Sequence, residues 1–204
     1  MLLFSLEGID GAGKTTQCYI LENWLKNEGY NVISCKDPGS TKLGKILRNI
    51  ILKNKNLKIC PESQVFMFAA AKRQLVDEII KPNIKNDCII LTDRYYLSGI
   101  VYQGYGMNLN INRLKTIYHI SIDAIYPNFT FVLDLPVESA FKRMKNKKLD
   151  NIELYDRKIF EKIRNGFIEE SKNHFPPTKI INGNKNIDEI FEDIKGSILK
   201  ILNK

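Results

Sequence analysis

Apolar positions along this chain follow two alternating rhythms. Leu2-Leu3-Phe4-Ser5-Leu6 is a short apolar run stopped by a glycine-rich turn, which predicts a buried strand. From about Lys14 the spacing lengthens to a helical period, with Cys18, Leu21, Trp24 and Leu25 on one face and Gly29 as terminator. Further strands are predicted at Val32–Cys35, Cys88–Thr92, Phe129–Leu135 and Lys179–Ile181. Helical patterns cover Leu43–Leu52, Glu62 to about Ile80 (ending near Pro82), Asn112–Asp123, Val137–Lys145, Tyr155–Lys172 and Ile187–Leu202. Alternating strands and helices imply an α/β fold, a mostly parallel sheet covered on both faces. In such a sheet ligands gather at the carboxyl ends of the strands, so the residues just after each strand carry the most information.

The length of 204 residues, 44% of them hydrophobic, suits one sizeable core, and residues 1–204 are expected to form a single domain. No run approaches the roughly 18 apolar residues of a membrane span, and Met1–Glu7 is too short for a signal peptide. A soluble, cytoplasmic protein with no membrane partner is expected. Cysteines at 18, 35, 60 and 88 match neither a zinc-ligand pair nor a redox CxxC, and read as reduced, mostly buried thiols. Thirty-one Lys and Arg against 23 Asp and Glu leave a net charge of +8, which suits an anionic partner. The abundance of Lys, Asn and Ile throughout reads as compositional drift rather than a nucleic-acid footprint.

Chemistry enters directly after the first strand. Gly8-Ile9-Asp10-Gly11-Ala12-Gly13-Lys14-Thr15 fits GxxxxGK[ST] without a mismatch, between a strand and a helix as the mechanism requires. Glycines let the backbone curl so that successive N–H groups face phosphate oxygens, and the helix adds its positive end. Lys14 would neutralise the β/γ-phosphate region and the Thr15 hydroxyl would ligate Mg²⁺. After the third strand, Asp93 can hold Mg²⁺ or its water and Arg94 can bridge phosphates; the bland alternative is a solvated strand-end ion pair. His119 and His174 have no partner motif and read as structural or exposed, and no zinc site is visible.

Beyond these motifs come Asp37-Pro38-Gly39-Ser40-Thr41, Phe66-Met67-Phe68-Ala69-Ala70, Asp93-Arg94-Tyr95 with Ser98, Tyr102-Gln103-Gly104 and Leu133-Asp134-Leu135. With Glu7 to Thr16, in this order and spacing, the chain resembles the bacterial type of thymidylate kinase over nearly its whole length. The resemblance implies a three-layer P-loop fold with a five-stranded parallel sheet and a short lid at about 143–155. It also implies a homodimer and a reaction in which Mg·ATP and dTMP give ADP and dTDP, with no nucleic-acid partner. By the same resemblance Gly8 to Thr16, including Thr16 itself, would bind ATP, with Arg143 stacking on adenine. Asp10 would lie near the acceptor sugar and phosphate, and Arg48 and Arg94 would grip the monophosphate. Phe68 would stack on thymine, Gln103 would read the base edge and Tyr102 would lie against the sugar, while Asp37, Pro38, Ser98 and Gly99 would belong to the same acceptor site. Taken alone, Phe68 has the spacing of a core residue and Arg48 that of a solvated one.

Three departures from the family pattern stand out. The arginine usual four residues after the stacking aromatic is Lys72, followed by Arg73, and a lysine offers a point charge where arginine offers a planar fork. Either residue is a candidate to reach the base. Ser40 stands where a second glycine is common and is expected to tighten its loop. The chain also has no P-loop arginine, and in the lid sequence Lys145-Asn146-Lys147-Lys148-Leu149-Asp150-Asn151 an asparagine occupies the expected arginine position. Lys147 or Lys148 is therefore the expected source of the transition-state charge. Two rival readings stay open: a kinase for another monophosphate such as dUMP, dCMP or dGMP, and a basic P-loop protein that binds nucleotide or nucleic acid without transferring phosphate.

Overall fold

The computed structural model describes residues 1–54, 56–145, 156–173 and 175–203. Five strands, β1 (Leu2–Glu7), β2 (Val32–Lys36), β3 (Ile89–Asp93), β4 (Phe129–Asp134) and β5 (Thr178–Asn182), make one sheet in the order β2-β3-β1-β4-β5. Every pairing is parallel. Both faces of β1, β3 and β4 are largely buried, which is why these strands read as near-continuous apolar runs. Side chains alternate across the sheet: Phe4, Leu6, Ile89 and Leu91 enter one apolar cluster, while Leu3 and Ile90 enter the other.

Helices supply the outer layers. On the Phe4 face the core is completed from α1 (Lys14–Asn27), α7 (Arg157–Ser171) and α8 (Ile187–Ile201), through residues such as Leu21, Phe160, Phe167 and Ile194. The Leu3 face is completed by Val65, Ala69 and Leu75 of α3 (Pro61–Leu75) and by Leu114 and Tyr118 of α5 (Ile111–Ser121). Two further helices, α2 (Lys42–Lys53) and α6 (Val137–Met144), follow β2 and β4, and Thr41 caps α2 through its side chain. Among the described residues no helix is long and apolar enough to cross a membrane.

Two stretches differ from the periodicity. The long helix expected to run to about Ile80 leaves α-helical geometry after Leu75, widens into a π-turn over Val76–Ile80 and tightens over Lys81–Asn83 around Pro82, which has no N–H to donate. Directly after β3 lies a short helix absent from the periodicity, α4 (Tyr96–Ile100), continued by a π-turn over Val101–Gly106. Tyr96 to Gly104 is buried on every side, so it has no polar face to create a period. Of the four cysteines, Cys18, Cys35 and Cys88 are buried free thiols, while Cys60, at the start of α3, is exposed.

The sheet register brings three strand ends together. Leu6 and Lys36 both lie opposite Asp93, so β1, β2 and β3 finish level. Residues Glu7-Gly8, Lys36-Asp37 and Asp93-Arg94 therefore meet along one edge.

Two glycines test the packing. A Cβ at Gly99 would lie 2.4 Å from the Tyr118 ring, whereas one at Gly196, inside α8, meets nothing within 4 Å. Gly99→Ala is expected to lower unfolding stability by about 1–3 kcal/mol through overpacking. Gly196→Ala is expected to raise it by about 0.5–1 kcal/mol through helix propensity. Urea denaturation midpoints of the two variants, moving in opposite directions, check this.

Candidate active site

β1 ends in a tight turn because Gly8 allows it. Its φ is 129°, and a Cβ there would come within 2.5 Å of the Leu133 carbonyl on β4. The chain then curls through Asp10–Gly13 into α1, whose N-terminus has no side-chain cap, leaving its first N–H groups for an anion. Lys14 folds back over the loop and donates to the Ile9 carbonyl at 2.7 Å. Burial, and then the Arg94 charge, push its amine down to about 8 against the opposing pull of Asp10 and Asp93.

Two cavities flank this loop. The first is lined by Gly11 to Gln17, Lys36, Asp93, Arg143 and Lys185, and it opens over the glycine motif from which a phosphate cradle is expected. The second is lined by Asp37, Pro38, Phe68, Lys72, Ser98, Gly99, Tyr102 and Gln103. Asp10, Arg48 and Arg94 line both and form the wall between them.

Arg94 dominates that wall. Its backbone sits in the left-handed region at φ 69°, uncommon for a residue with a side chain. Its guanidinium donates to Asp10 at 2.6 Å, the Gly8 carbonyl at 2.8 Å, and the Ser98 and Tyr102 hydroxyls at 3.0 Å each. The Tyr102 hydroxyl in turn donates to Asp10 at 2.6 Å. Burial alone would push the Asp10 carboxyl up, but the charges of Arg94 and Lys14 and the Tyr102 hydrogen bond outweigh it and hold the group well below the usual carboxylate range. Asp10 is therefore an ionised acceptor near neutral pH and not a proton donor.

Beneath Arg94 lies Glu7, fully buried, which receives the Tyr95 N–H at 2.9 Å and the Ser98 hydroxyl. Sequence reasoning assigns Glu7 no role at the site. A charged residue ending an apolar strand, one place before the glycine loop, is the signal that could have found it.

At the level of β3, Asp93 accepts from the Thr15 hydroxyl at 2.5 Å and pairs with Lys36 at 3.2 Å. Burial pushes the Asp93 carboxyl up, but Lys14, Lys36 and Arg94 together hold it below its ordinary value. Lys36 is a second residue that sequence reasoning does not single out. Arg143 lies over the loop, donating to the carbonyls of Gly183 at 3.0 Å and Gly11 at 3.5 Å.

The acceptor-side residues separate into those the fold gathers and one that it does not. Phe68 is half-buried on the wall of the second cavity, and Arg48 reaches the Pro38 carbonyl at 3.2 Å. Gln103 is buried, its side-chain oxygen accepting from the Tyr118 hydroxyl at 3.2 Å. Lys72 lines the cavity, but its ammonium is committed to Asp37 and to the Tyr95 carbonyl at 2.7 Å. Burial raises the Asp37 carboxyl despite that partner, and its second oxygen has none among the described residues.

Arg73 corrects an expectation, since it does not line the cavity. One step of about 100° around α3 turns it to the surface, where it pairs with Asp77 and Asp123 at 2.9 Å each. Lys147, Lys148 and the lid from 146 to 155 lie outside the described residues, as does His174. His119 meets the Tyr126 hydroxyl at 2.7 Å, away from both cavities.

A glycine cradle at the end of the first strand of a parallel sheet, opening through an arginine into a second cavity, defines a P-loop nucleotide-binding protein of the phosphotransferase kind. Comparison with known proteins narrows this: the family model for thymidylate kinase matches residues 6–194, and the chain belongs to the thymidylate kinase family. It is 39% identical to a thymidylate kinase of Thermosipho africanus across 98% of this chain and 99% of that protein. A thymidylate kinase of Fervidobacterium nodosum is 36% identical, covering 95% and 96% respectively. The crystal structure of thymidylate kinase from Ehrlichia chaffeensis superimposes with a TM-score of 0.79 at 27% identity, over 97% of this chain and 98% of that one.

The lowered Lys14 amine makes nucleotide binding proton-linked. In the free protein it is largely neutral above about pH 8, and a polyphosphate beside it favours the charged form, so binding at about pH 8.5 is expected to take up a fraction of a proton. Isothermal titration of Mg·ATP in buffers of different ionisation enthalpy should show uptake at that pH and little near neutrality. An enthalpy independent of buffer at both would contradict it.

Proposed function

We propose that this protein transfers the γ-phosphoryl group of Mg·ATP to dTMP, giving ADP and dTDP. The observation that carries this reading is the shared wall, because Arg94 and Arg48 line the phosphate cradle and the second cavity at once. A phosphoryl group passing between two bound nucleotides must cross where both cavities open, and that is where the arginines stand.

The protein contributes position and charge. The loop and α1 terminus receive the triphosphate, Lys14 balances its β/γ region, and Arg94, oriented by Asp10, Tyr102 and Ser98, grips the acceptor phosphate. No covalent enzyme intermediate is needed, since an acceptor phosphate oxygen can attack directly once both substrates are held in line. Phe68 offers the apolar face for thymine, and Gln103 stands ready at the base edge. Lys72, tied to Asp37, supports the floor of that pocket and is left with one N–H for a base carbonyl.

Thr15 and Asp93 fit a magnesium ion. They set two hard oxygen donors side by side at the edge of the cradle, and the described residues hold no cluster of three acidic, histidine or cysteine side chains that would suit a fully protein-bound metal. Magnesium usually keeps water and phosphate oxygens with one or two protein ligands. When bound it would neutralise charge on the triphosphate. We assign the remaining transition-state charge to Lys147 or Lys148, because Asn151 stands where the resemblance leads one to expect an arginine. We further infer a cytoplasmic homodimer, a reading supported by free, mostly buried thiols and by the exposed Phe66 on α3.

A coupled ADP-release assay with Mg·ATP and dTMP, dUMP, dCMP, dGMP, UMP and AMP is expected to show clear preference for dTMP. Preference for another monophosphate would keep the mechanism and overturn the specificity, while silence with all of them would sink the kinase reading. In the same assay Arg48→Ala is expected to raise the KM for dTMP about ten- to a hundredfold, the loss of a charge-assisted hydrogen bond, with a smaller change for ATP. Equal effects on both KM values would count against Arg48 as an acceptor residue.

A further inference from the structure

Lys36 lines the cradle without belonging to the set assigned to grip either nucleotide, yet it reaches the atom on which metal binding would turn. It is the last residue of β2, in register with Asp93 on β3, and its ammonium sits 3.2 Å from Asp93 Oδ2. That same oxygen accepts from Thr15 Oγ1 at 2.5 Å. We propose that Lys36 is the internal counter-ion of the metal seat: it occupies Asp93 Oδ2 while the seat is empty, yields it to the divalent cation, and turns its freed charge to the phosphates of the incoming nucleotide. The proposal rests on the reading of Thr15 and Asp93 as that seat.

Burial makes a counter-ion necessary. The Asp93 side chain is only 7% exposed, and a carboxylate so placed is costly unless something balances it. Lys14 contributes from nearby, but its ammonium is bonded to the Ile9 carbonyl, and Arg94 is occupied by Asp10. Among the described residues, Lys36 is the cation in direct contact.

Geometry makes the handover possible. The backbone N–H of Lys36 donates to the Ser40 hydroxyl at 2.7 Å, its carbonyl accepts from the Ser40 N–H at 3.1 Å, and the next residue's N–H bonds to the Asp93 carbonyl at 3.1 Å. The root of the side chain is thus pinned, in part by Ser40. The side chain itself is 43% exposed and lines the phosphate cavity beside Lys14 and Arg48. A flexible four-carbon stem on a fixed root can swing its charge by a few ångströms without disturbing the fold. An ordinary strand-end ion pair of this exposure would contribute little to stability and would not be coupled to metal or nucleotide.

Lys36→Met, with Lys36→Arg as the charge-keeping variant and Asp93→Asn as the control for the seat, separates these possibilities. Manganese replaces magnesium as the probe, and its free signal in electron paramagnetic resonance reports binding to the nucleotide-free protein. With its competitor removed, Lys36→Met is expected to bind manganese about three- to tenfold more tightly, Lys36→Arg close to wild type, and Asp93→Asn more weakly than wild type. In the kinase assay Lys36→Met is expected to raise the KM for Mg·ATP severalfold, with Lys36→Arg restoring it. Manganese affinity unchanged or weakened in Lys36→Met overturns the counter-ion role, and an unchanged KM overturns the handover to phosphate. A wild type inactive toward every monophosphate would instead defeat the kinase reading, and manganese binding that survives Asp93→Asn would defeat the seat.

Discussion

Arg94 carries a permanent positive charge into the narrow wall between two cavities, and the surrounding architecture answers it. A guanidinium so enclosed is tolerable only when its donors are satisfied. The Gly8 carbonyl, Asp10, Ser98 and Tyr102 do this from the end of β1, the glycine loop and the buried helix after β3. These partners come from segments far apart in the chain, Asp10 being 84 residues away. Glu7 below holds Ser98 and the Tyr95 N–H in turn, so the loop, the strand ends and α4 are fixed to one another through this charge.

The same edge of the sheet repeats the arrangement at two neighbouring points. Asp93 is matched by Lys36, Lys14 and the Thr15 hydroxyl, and Asp37 by Lys72. Each carboxylate follows or ends a strand, where a parallel sheet leaves its carboxyl-terminal loops and where bound anions bring further negative charge. Pairing in advance keeps these groups from repelling one another in the empty protein. It also means that binding exchanges partners rather than exposing bare charge, which costs less reorganisation than burying an unpaired ion.

Much of this architecture is legible in the sequence, and the failures have identifiable causes. The five strands are visible because each is a short apolar run closed by turn residues, and the cradle because GxxxxGK[ST] is local in sequence. Arg73 is ambiguous with Lys72 because adjacent helical residues differ only by rotation, and the direction of that rotation depends on what α3 packs against. The helix after Asp93 is hidden because burial on all sides erases its period. Lys36 looks like any lysine at the end of a strand, since nothing in its neighbours names the carboxylate across the ladder.

By itself, then, the sequence determined the kinds and order of the elements, the phosphate loop and the likeness to thymidylate kinases, all properties of residues near one another along the chain. Only the tertiary structure decided that β3 lies between β1 and β2, and hence that Asp93 meets both Thr15 and Lys36. It also decided that Lys72 is paired with Asp37, 35 residues distant. The physical reason is that periodicity and turn chemistry act over a few residues, whereas an ion pair depends on which strands become neighbours and in what register.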